Sequence, residues 1–228
     1  MNPDMPCKLI ALVGGSGAGK SWLADRLRRE FGDNAASLSL DDFYSDPSHL
    51  AFPERQRLNF DHPDAIEWPL FENVLRALRG RQTASVPHYD FVSHSRWQGR
   101  EPFEPRPYIF VEGLWLLHHS RIRALFDVRV FLACAESLRW ERRLNRDVLE
   151  RGRTAESIHQ QFWNVVAPMN DRFVEPQKSR ADLVIEQPIT QVDICQLIAR
   201  IRSLRVPHNP VSSWRPASWN TTIPIPIA

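Results

Sequence analysis

This sequence of 228 residues has few of the features that mark several protein classes. Its three cysteines, Cys7, Cys134 and Cys195, lie far apart, so neither a disulfide framework nor a zinc site is predicted. The longest apolar runs, such as residues 9–13 and 108–111, are far too short to span a bilayer. The first residues, MNPDMPCK, lack the apolar stretch of a signal peptide. We therefore expect a cytoplasmic protein with reduced thiols and no membrane contact.

A large excess of charge is also absent. The formal net charge of +2 is too small for a protein that coats nucleic acid, so we expect no nucleic-acid partner. Hydrophobic residues make up 43% of the chain and charged residues 25%, which is typical of a soluble globular protein. A chain of this length can bury a substantial core within one domain.

Short apolar runs rich in β-forming residues alternate along the chain with segments of helical periodicity. This alternation predicts an α/β fold with a mainly parallel sheet. Strands are predicted over residues 8–13, 35–40, 108–111, 128–133 and 182–185. Helices are predicted from inside GAGKS to about residue 31, over 69–80, over about 137–150, from 154 to a break at Pro168, and over 192–204.

Two segments lack this periodicity. Residues 82–106 are rich in proline, glycine and aromatic residues, which predicts a small β-rich insert with a hairpin and projecting loops. Residues 206–228 are rich in proline and predict a flexible, extended tail. We therefore expect one domain over residues 1–205, followed by this tail.

A glycine-rich segment after the first strand satisfies the pattern G-x-x-x-x-G-K-[ST] in full. It consists of Gly14, Gly15, Ser16, Gly17, Ala18, Gly19, Lys20 and Ser21. Backbone N–H groups and the start of a helix can surround phosphates there, with Lys20 as a point charge and the Ser21 hydroxyl as a Mg²⁺ ligand. A chance glycine-rich turn is the alternative, but the strand before and the helix after favour a P-loop in a three-layer P-loop NTPase-type fold.

A P-loop alone does not define the reaction. The guanine-reading motif N/T-K-x-D of GTPases is absent, and motor or transporter ATPases are normally larger. A small chain with one P-loop and an irregular insert is more typical of a kinase.

Acidic residues follow two of the predicted strands. Asp41 and Asp42 come after the second strand, and Glu112 follows the third. Parallel sheets place ligands at the carboxyl ends of their strands, where such carboxylates could hold Mg²⁺ or accept the proton of an acceptor hydroxyl. The alternative is that these side chains only cap the following turns.

Several blocks of this sequence resemble the uridine–cytidine kinase family. They are SLDDFY (39–44), NFDHPDA (59–65), PHYDFVSHSR (87–96), VEG (111–113), RLNRD (143–147), ERGR (150–153) and Gln161. The resemblance extends over about residues 8–187, and the second and third blocks are long and specific. Phosphoribulokinases and pantothenate kinases share the P-loop but are less similar in these two blocks.

The resemblance implies a role for individual residues. Asp41 would be the general base on the ribose 5′-hydroxyl and lie near the metal, where Ser21 and Glu112 would bind Mg²⁺. Asp61 would bind the ribose 2′- and 3′-hydroxyls. The pyrimidine would be read by Tyr89 and His94 between the rings of Phe60 and Phe91. From the lid side, Arg143, Arg153 and Gln161 would contact the nucleoside, and Arg146 and Arg151 the nucleotide.

An arginine-rich stretch precedes and overlaps the last of these blocks. Arg139, Arg142, Arg143 and Arg146 lie on one face of the predicted helix, and Arg151 and Arg153 follow it. This pattern favours an arginine-rich helical lid over about residues 137–160, because arginine pairs well with phosphate. A solvated face that pairs with Glu141, Asp147 and Glu150 is the alternative.

The resulting prediction is a kinase that transfers the γ-phosphate of ATP or GTP, with Mg²⁺, to uridine or cytidine. Two alternatives stay open at this point. One is a P-loop kinase of another small alcohol, such as pantothenate or a sugar phosphate. The other is a nucleotide-binding regulator that has lost the chemistry. The family resemblance also implies a homo-oligomer, often a tetramer.

Overall fold

A computed structural model describes residues 7–55, 58–97 and 99–204. The strands of this part are β1 (Lys8–Val13), β2 (Ala35–Ser39), β3 (Ala84–Val86), β4 (Tyr89–Asp90), β5 (Ser95–Arg96), β6 (Glu101–Phe103), β7 (Tyr108–Gly113), β8 (Val128–Ala133) and β9 (Leu183–Glu186). The α-helices are α1 (Lys20–Phe31), α2 (Phe52–Arg55), α3 (Trp68–Arg79), α4 (Ser120–Arg123), α5 (Glu136–Arg151), α6 (Ala155–Gln161), α7 (Ala167–Met169) and α8 (Gln191–Ser203).

Five strands form one parallel sheet in the order β2-β7-β1-β8-β9. The central strand β1 is covered on both faces, because its alternate side chains enter two separate cores. Leu9 and Val13 pack with α3 on one face, and Ile10 and Leu12 pack with α1 and α8 on the other. The sheet is thus the middle of three layers, and the predicted α/β fold is confirmed. The predicted strands agree with the structure to within one or two residues.

The predicted end of a helix at Pro168 is wrong. Helical backbone continues through π-helical turns at Phe162–Val166 and Asn170–Val174 and a 3₁₀ segment at Glu175–Arg180. Proline breaks an α-helix because it cannot donate to the carbonyl four residues earlier. In the π turn just before Pro168, the N–H of Ala167 donates to the carbonyl of Phe162, five residues earlier. The α-helical hydrogen-bond pattern that proline interrupts is therefore not the pattern of this turn.

The segment predicted as a hairpin insert forms two small antiparallel pairs, β3 with β6 and β4 with β5. Arg96 ties the inner pair to the main domain, because its guanidinium pairs with Glu67 and donates to the carbonyl of Phe43. The inner pair therefore lies against the segment that follows β2. The predicted tail over residues 206–228 lies outside the described residues. None of the helices described is both long and apolar enough to cross a membrane.

Candidate active site

The P-loop connects β1 to α1, as predicted. Gly17 and Gly19 have φ values of 80° and 87°, a left-handed conformation that glycine adopts without strain. Lys20 is buried, and its ammonium group donates to the carbonyl oxygen of Gly15 at 3.1 Å. The loop thereby closes on itself at the N-terminus of α1, where backbone N–H groups and the helix dipole favour an anion.

Gly15 also has a packing role. A Cβ atom at this position would lie 2.5 Å from Oδ1 of Asn170 and 2.8 Å from Nη1 of Arg139. The start of α5 and the long helical segment after α6 therefore rest directly on the P-loop. Any larger residue at position 15 would push them away from the phosphate-binding backbone.

Two acidic residues, Asp41 and Glu112, lie where the strand pattern predicted them, at the carboxyl ends of β2 and β7. Ser39 and Glu112 are register partners, and the Ser39 hydroxyl donates to Oε1 of Glu112 at 2.8 Å. The same hydroxyl accepts the N–H of Asp41 at 3.2 Å. Ser39 thus links the two acids. Burial raises the pKa of Glu112, and the positive charge of Lys20 opposes that shift.

The side chains predicted to bind the metal offer only oxygen atoms as ligands. The Ser21 hydroxyl and the Asp41 and Glu112 carboxylates line the same cavity, and hard cations such as Mg²⁺ prefer oxygen. Across the described ranges, no three or more His, Cys, Asp or Glu side chains form a group that could hold a metal by itself. Mg²⁺ typically binds through one or two protein carboxylates together with substrate phosphates, which this set suits.

A cavity of about 480 Å³ extends from the P-loop to the insert. The predicted site residues that line it are Ser16, Lys20, Ser21, Asp41, Phe60, Asp61, Tyr89, Phe91, His94, Glu112, Arg143, Arg146, Arg151, Arg153 and Gln161. Gly14, Gly15, Gly17, Ala18 and Gly19 are not among the residues that line the cavity. Their predicted role is to bind phosphate through backbone N–H groups. Asp42 is also absent from the lining, since its carboxylate accepts the N–H of Tyr89 at 3.4 Å and lies 3.4 Å from Nδ1 of His88.

Aromatic residues form one wall of the cavity. Phe60 and His94 are stacked, with ring centroids 5.2 Å apart and an interplanar angle of 13°. Tyr44 lies between Phe60 and Tyr89, at 5.6 Å and 5.2 Å, and its hydroxyl donates to the carbonyl of Phe60. The Tyr89 hydroxyl is buried and has no hydrogen-bond partner. Burial, with Arg153 adding to it, lowers the pKa of His94, so the imidazole is neutral at pH 7.

Sequence reasoning missed Tyr44 as a site residue. Tyr44 is the last residue of the SLDDFY block, three residues after Asp41. Its place in that block could have marked it as a site residue. Leu58, Leu114 and Ser157 also line the cavity, and no sequence block included them. Val92 lines it too and lies in the PHYDFVSHSR block, but no role was predicted for it.

Asp61 is 9% exposed, and its backbone N–H donates to the Asn59 side chain at 3.0 Å. Burial raises the pKa of the Asp61 carboxyl, against the opposing positive charge of Arg143. Asp61 lines the cavity, so its carboxylate can accept hydrogen bonds from a bound ligand. Vicinal hydroxyl groups can supply two of them at once.

The arginine face of α5 points inward. The helix buries Arg139, Arg143 and Asp147, and it leaves Leu149 79% exposed. Arg143 donates to the Ser16 hydroxyl at 2.9 Å and to Oε1 of Gln161 at 3.0 Å. This burial excludes the alternative of a fully solvated arginine face.

Beyond the end of α5, Arg153 also donates to the Gln161 side chain. The guanidinium of Arg151 lies over the ring of Phe91, 4.4 Å from its centroid. The end of the arginine-rich segment therefore contacts the insert, and the two enclose the cavity between them.

This fold and this site define a P-loop phosphotransferase. The family model described as "Phosphoribulokinase / Uridine kinase family" matches residues 9–194, and the chain belongs to this family. It is 39% identical over 198 residues to a protein named "Uridine kinase" from Staphylococcus epidermidis, covering 86% of this chain and 96% of that protein. It is 38% identical over 197 residues to one of the same name from Clostridium perfringens, covering 86% and 95%.

Solved structures share the fold at lower sequence identity. Phosphoribulokinase from Rhodobacter spheroides has a TM-score of 0.61 at 20% identity, over 79% of this chain and 70% of that one. D-glycerate 3-kinase from Cryptococcus neoformans has a TM-score of 0.55 at 18% identity, over 79% and 86%. Membership of this family, together with the relatives named "Uridine kinase", makes the chain an enzyme of the phosphotransferase class that acts on a small molecule.

Proposed function

We propose that this protein transfers the γ-phosphate of ATP or GTP to the 5′-hydroxyl of uridine or cytidine, giving UMP or CMP. The observation that carries the proposal is a single cavity lined both by the P-loop side chains Lys20 and Ser21 and by the aromatic wall with Asp61. The "Uridine kinase" names of the relatives support the same acceptor. The predicted cytoplasmic location and the tetramer stay predictions.

The phosphates of the donor would lie on the P-loop, against Lys20, Arg146 and Arg151. The oxygen ligands of Ser21, Asp41 and Glu112 fit Mg²⁺. That ion would neutralise charge on the β- and γ-phosphates. The protein's own contribution is to hold positive groups where charge develops, in a partly water-excluded cavity.

The acceptor would lie against the aromatic wall. Asp61 would accept hydrogen bonds from the ribose 2′- and 3′-hydroxyls, and Asp41 would accept the proton of the 5′-hydroxyl. Tyr89 and His94 would read the pyrimidine, with Phe60 and Phe91 beside its ring. Three further residues would contact the nucleoside from the lid side: Arg143, Arg153 and Gln161.

The occupied guanidinium of Arg96 disfavours a sugar phosphate as acceptor. A second phosphate would need cationic groups in the insert, where Arg96 and Arg100 are the candidates. Arg96 is already engaged by Glu67 and the Phe43 carbonyl, and Arg100 does not line the cavity. The regulator alternative is disfavoured because Lys20, Ser21, Asp41 and Glu112 all line the cavity. A neutral nucleoside therefore fits this site best.

The proposal is tested by product formation from a panel of acceptors with ATP or GTP. The panel contains uridine, cytidine, adenosine, pantothenate and ribulose 5-phosphate. We expect phosphorylation of both pyrimidine nucleosides and little of adenosine, whose larger base should not fit the aromatic wall. A higher kcat/KM for adenosine, pantothenate or ribulose 5-phosphate would reject the proposed acceptor.

The role of Asp61 predicts discrimination against 2′-deoxyuridine. Losing one hydrogen bond to a charged group costs about 1.5–3 kcal/mol, so kcat/KM should fall roughly tenfold to a hundredfold relative to uridine. Steady-state kinetics of the two nucleosides measure the difference. In Asp61→Asn the preference for uridine should shrink, and equal efficiency on both nucleosides in the wild type would contradict the assignment.

The role of His94 predicts a defect in binding pyrimidines. A neutral imidazole can donate from one nitrogen and accept at the other, so it can pair with uracil or with cytosine. His94→Ala should raise KM for both nucleosides by the equivalent of about 1–3 kcal/mol, with kcat less affected. His119→Ala, which removes an exposed imidazole outside the cavity lining, is the matched control. An unchanged KM for both pyrimidines in His94→Ala would exclude this role.

A further inference from the structure

Asp147 is a fully buried carboxylate among the arginines of the site. Four guanidinium groups surround it: Arg146 at 2.7 Å, Arg143 at 3.5 Å, and Arg151 and Arg153 both at 3.6 Å, measured between nitrogen and oxygen. All four arginines line the cavity, and Asp147 does not. Asp147 is therefore placed to influence the site through these arginines.

Asp147 interacts with these four arginines mainly through charge, and of the four only Arg146 donates hydrogen bonds to its carboxylate. Arg146 donates to Oδ1 of Asp147 from Nε at 2.9 Å and from Nη2 at 2.7 Å. By contrast, Oδ2 of Asp147 and Nε of Arg143 are both buried without a hydrogen-bond partner. Burial would raise the pKa of Asp147, but the charges of Arg146, Arg143 and Arg151 bring it below its usual value. The carboxylate is therefore ionised at neutral pH.

The backbone of Asp147 ends α5 independently of its side chain. The N–H groups of Gly152 and Arg153 both donate to the Asp147 carbonyl, and Gly152 has a φ of 61°. Asp147→Asn keeps the backbone carbonyl that accepts these two hydrogen bonds. The variant therefore removes the charge of the side chain without removing the bonds that end α5.

We propose that Asp147 is a positioning residue for phosphoryl transfer, whose carboxylate holds Arg143, Arg146, Arg151 and Arg153 as one preorganised set along the cavity that donor and acceptor share. The inference rests on the proposed kinase function. Four like charges this close repel one another, and a negative charge between them offsets that repulsion. Cationic groups stabilise a transferring phosphoryl group best when they are already in position. Without the carboxylate the arginines still attract the donor but lose their common geometry.

The experiment compares Asp147→Asn with Glu141→Gln, which removes one negative charge from an exposed position of the same helix. Steady-state kinetics give kcat, and calorimetry gives the Kd and the stoichiometry for ADP. We expect kcat of Asp147→Asn to fall about a hundredfold, the cost of slightly misplaced catalytic groups. ADP should bind at wild-type stoichiometry with an equal or lower Kd. Glu141→Gln should behave as the wild type.

Asp147→Glu keeps the charge and moves it by one methylene group, so it tests the proposal even if Asp147→Asn does not fold. We expect wild-type ADP binding and a smaller fall in kcat, because the guanidiniums are held but displaced. Wild-type kcat in either folded variant would overturn the proposal. So would a loss of ADP binding parallel to the loss of kcat, because that pattern indicates a purely structural role.

ADP binding does not depend on the acceptor. If the wild type does not phosphorylate uridine, the proposed function fails, and the Asp147 variants are then compared on the alcohol that the wild type accepts. The two failures are thus distinguishable.

Discussion

Asp41→Asn should lower kcat for uridine by about 10²–10⁴, the usual contribution of a general base. Asparagine has nearly the same shape but cannot take the proton of the 5′-hydroxyl. The local structure should survive, because Asp41 is held through its backbone N–H, which donates to the Ser39 hydroxyl. The measurement is kcat of the purified variant, with ADP binding by calorimetry to show that the donor site is intact.

Asp42→Asn tests the same assignment from the neighbouring position. Asp42 pairs with the Tyr89 N–H and lies near His88, so its loss should disturb acceptor binding more than the chemical step. Asp33→Asn removes an exposed carboxylate that does not line the cavity, and it serves as the neutral control. A larger fall in kcat in Asp42→Asn than in Asp41→Asn would move the base to Asp42.

Lys20→Ala should lower kcat/KM by at least about 10²–10³, the scale for loss of one preorganised group that stabilises charge in the transition state. Turnover is then expected to be close to abolished. Lys20 is the buried cation of the P-loop, and burial lowers the pKa of its ammonium group while Glu112 and Asp41 oppose that shift. Its one protein hydrogen bond in the described structure goes to the Gly15 carbonyl, so the fold should tolerate its loss.

Lys178→Ala is the matched control for this change. Lys178 is partly exposed and pairs only with Glu186 at 3.4 Å in the described structure, an ion pair of small energetic value. Its variant should retain wild-type kinetics. Circular dichroism and thermal unfolding establish that Lys20→Ala is folded. A folded Lys20→Ala enzyme with near-wild-type kcat would reject the role assigned to the P-loop lysine.

Much of the fold could be predicted because it depends on local patterns. The alternation of β-rich runs with helical segments predicted the five strands of the main sheet to within one or two residues. The P-loop is contiguous in sequence, so its glycines, Lys20 and Ser21 could be recognised together. Pro168 was misread because the local rule for proline assumes α-helical hydrogen bonding, and the chain forms π turns there.

The candidate site was predictable where strand ends or recognised blocks supplied its residues. Asp41 and Glu112 each follow a predicted strand, and parallel pairing brings them to one edge of the sheet. Tyr44 was missed because its part in the aromatic wall depends on rings from two other segments. It meets Phe60 and Tyr89 only after the insert has folded against the end of β2.

The sequence by itself determined the α/β class and the phosphate-binding loop, and it supplied the acidic, aromatic and basic residues that we propose for the site. Tertiary structure alone decided which face of α5 is buried and what Asp147 does there. The contact between Arg143 and Ser16 joins residues 127 positions apart. The periodicity of α5 shows that arginines share one face, but it does not show what that face meets. Burial of that face against the P-loop depends on how the whole sheet places two distant segments.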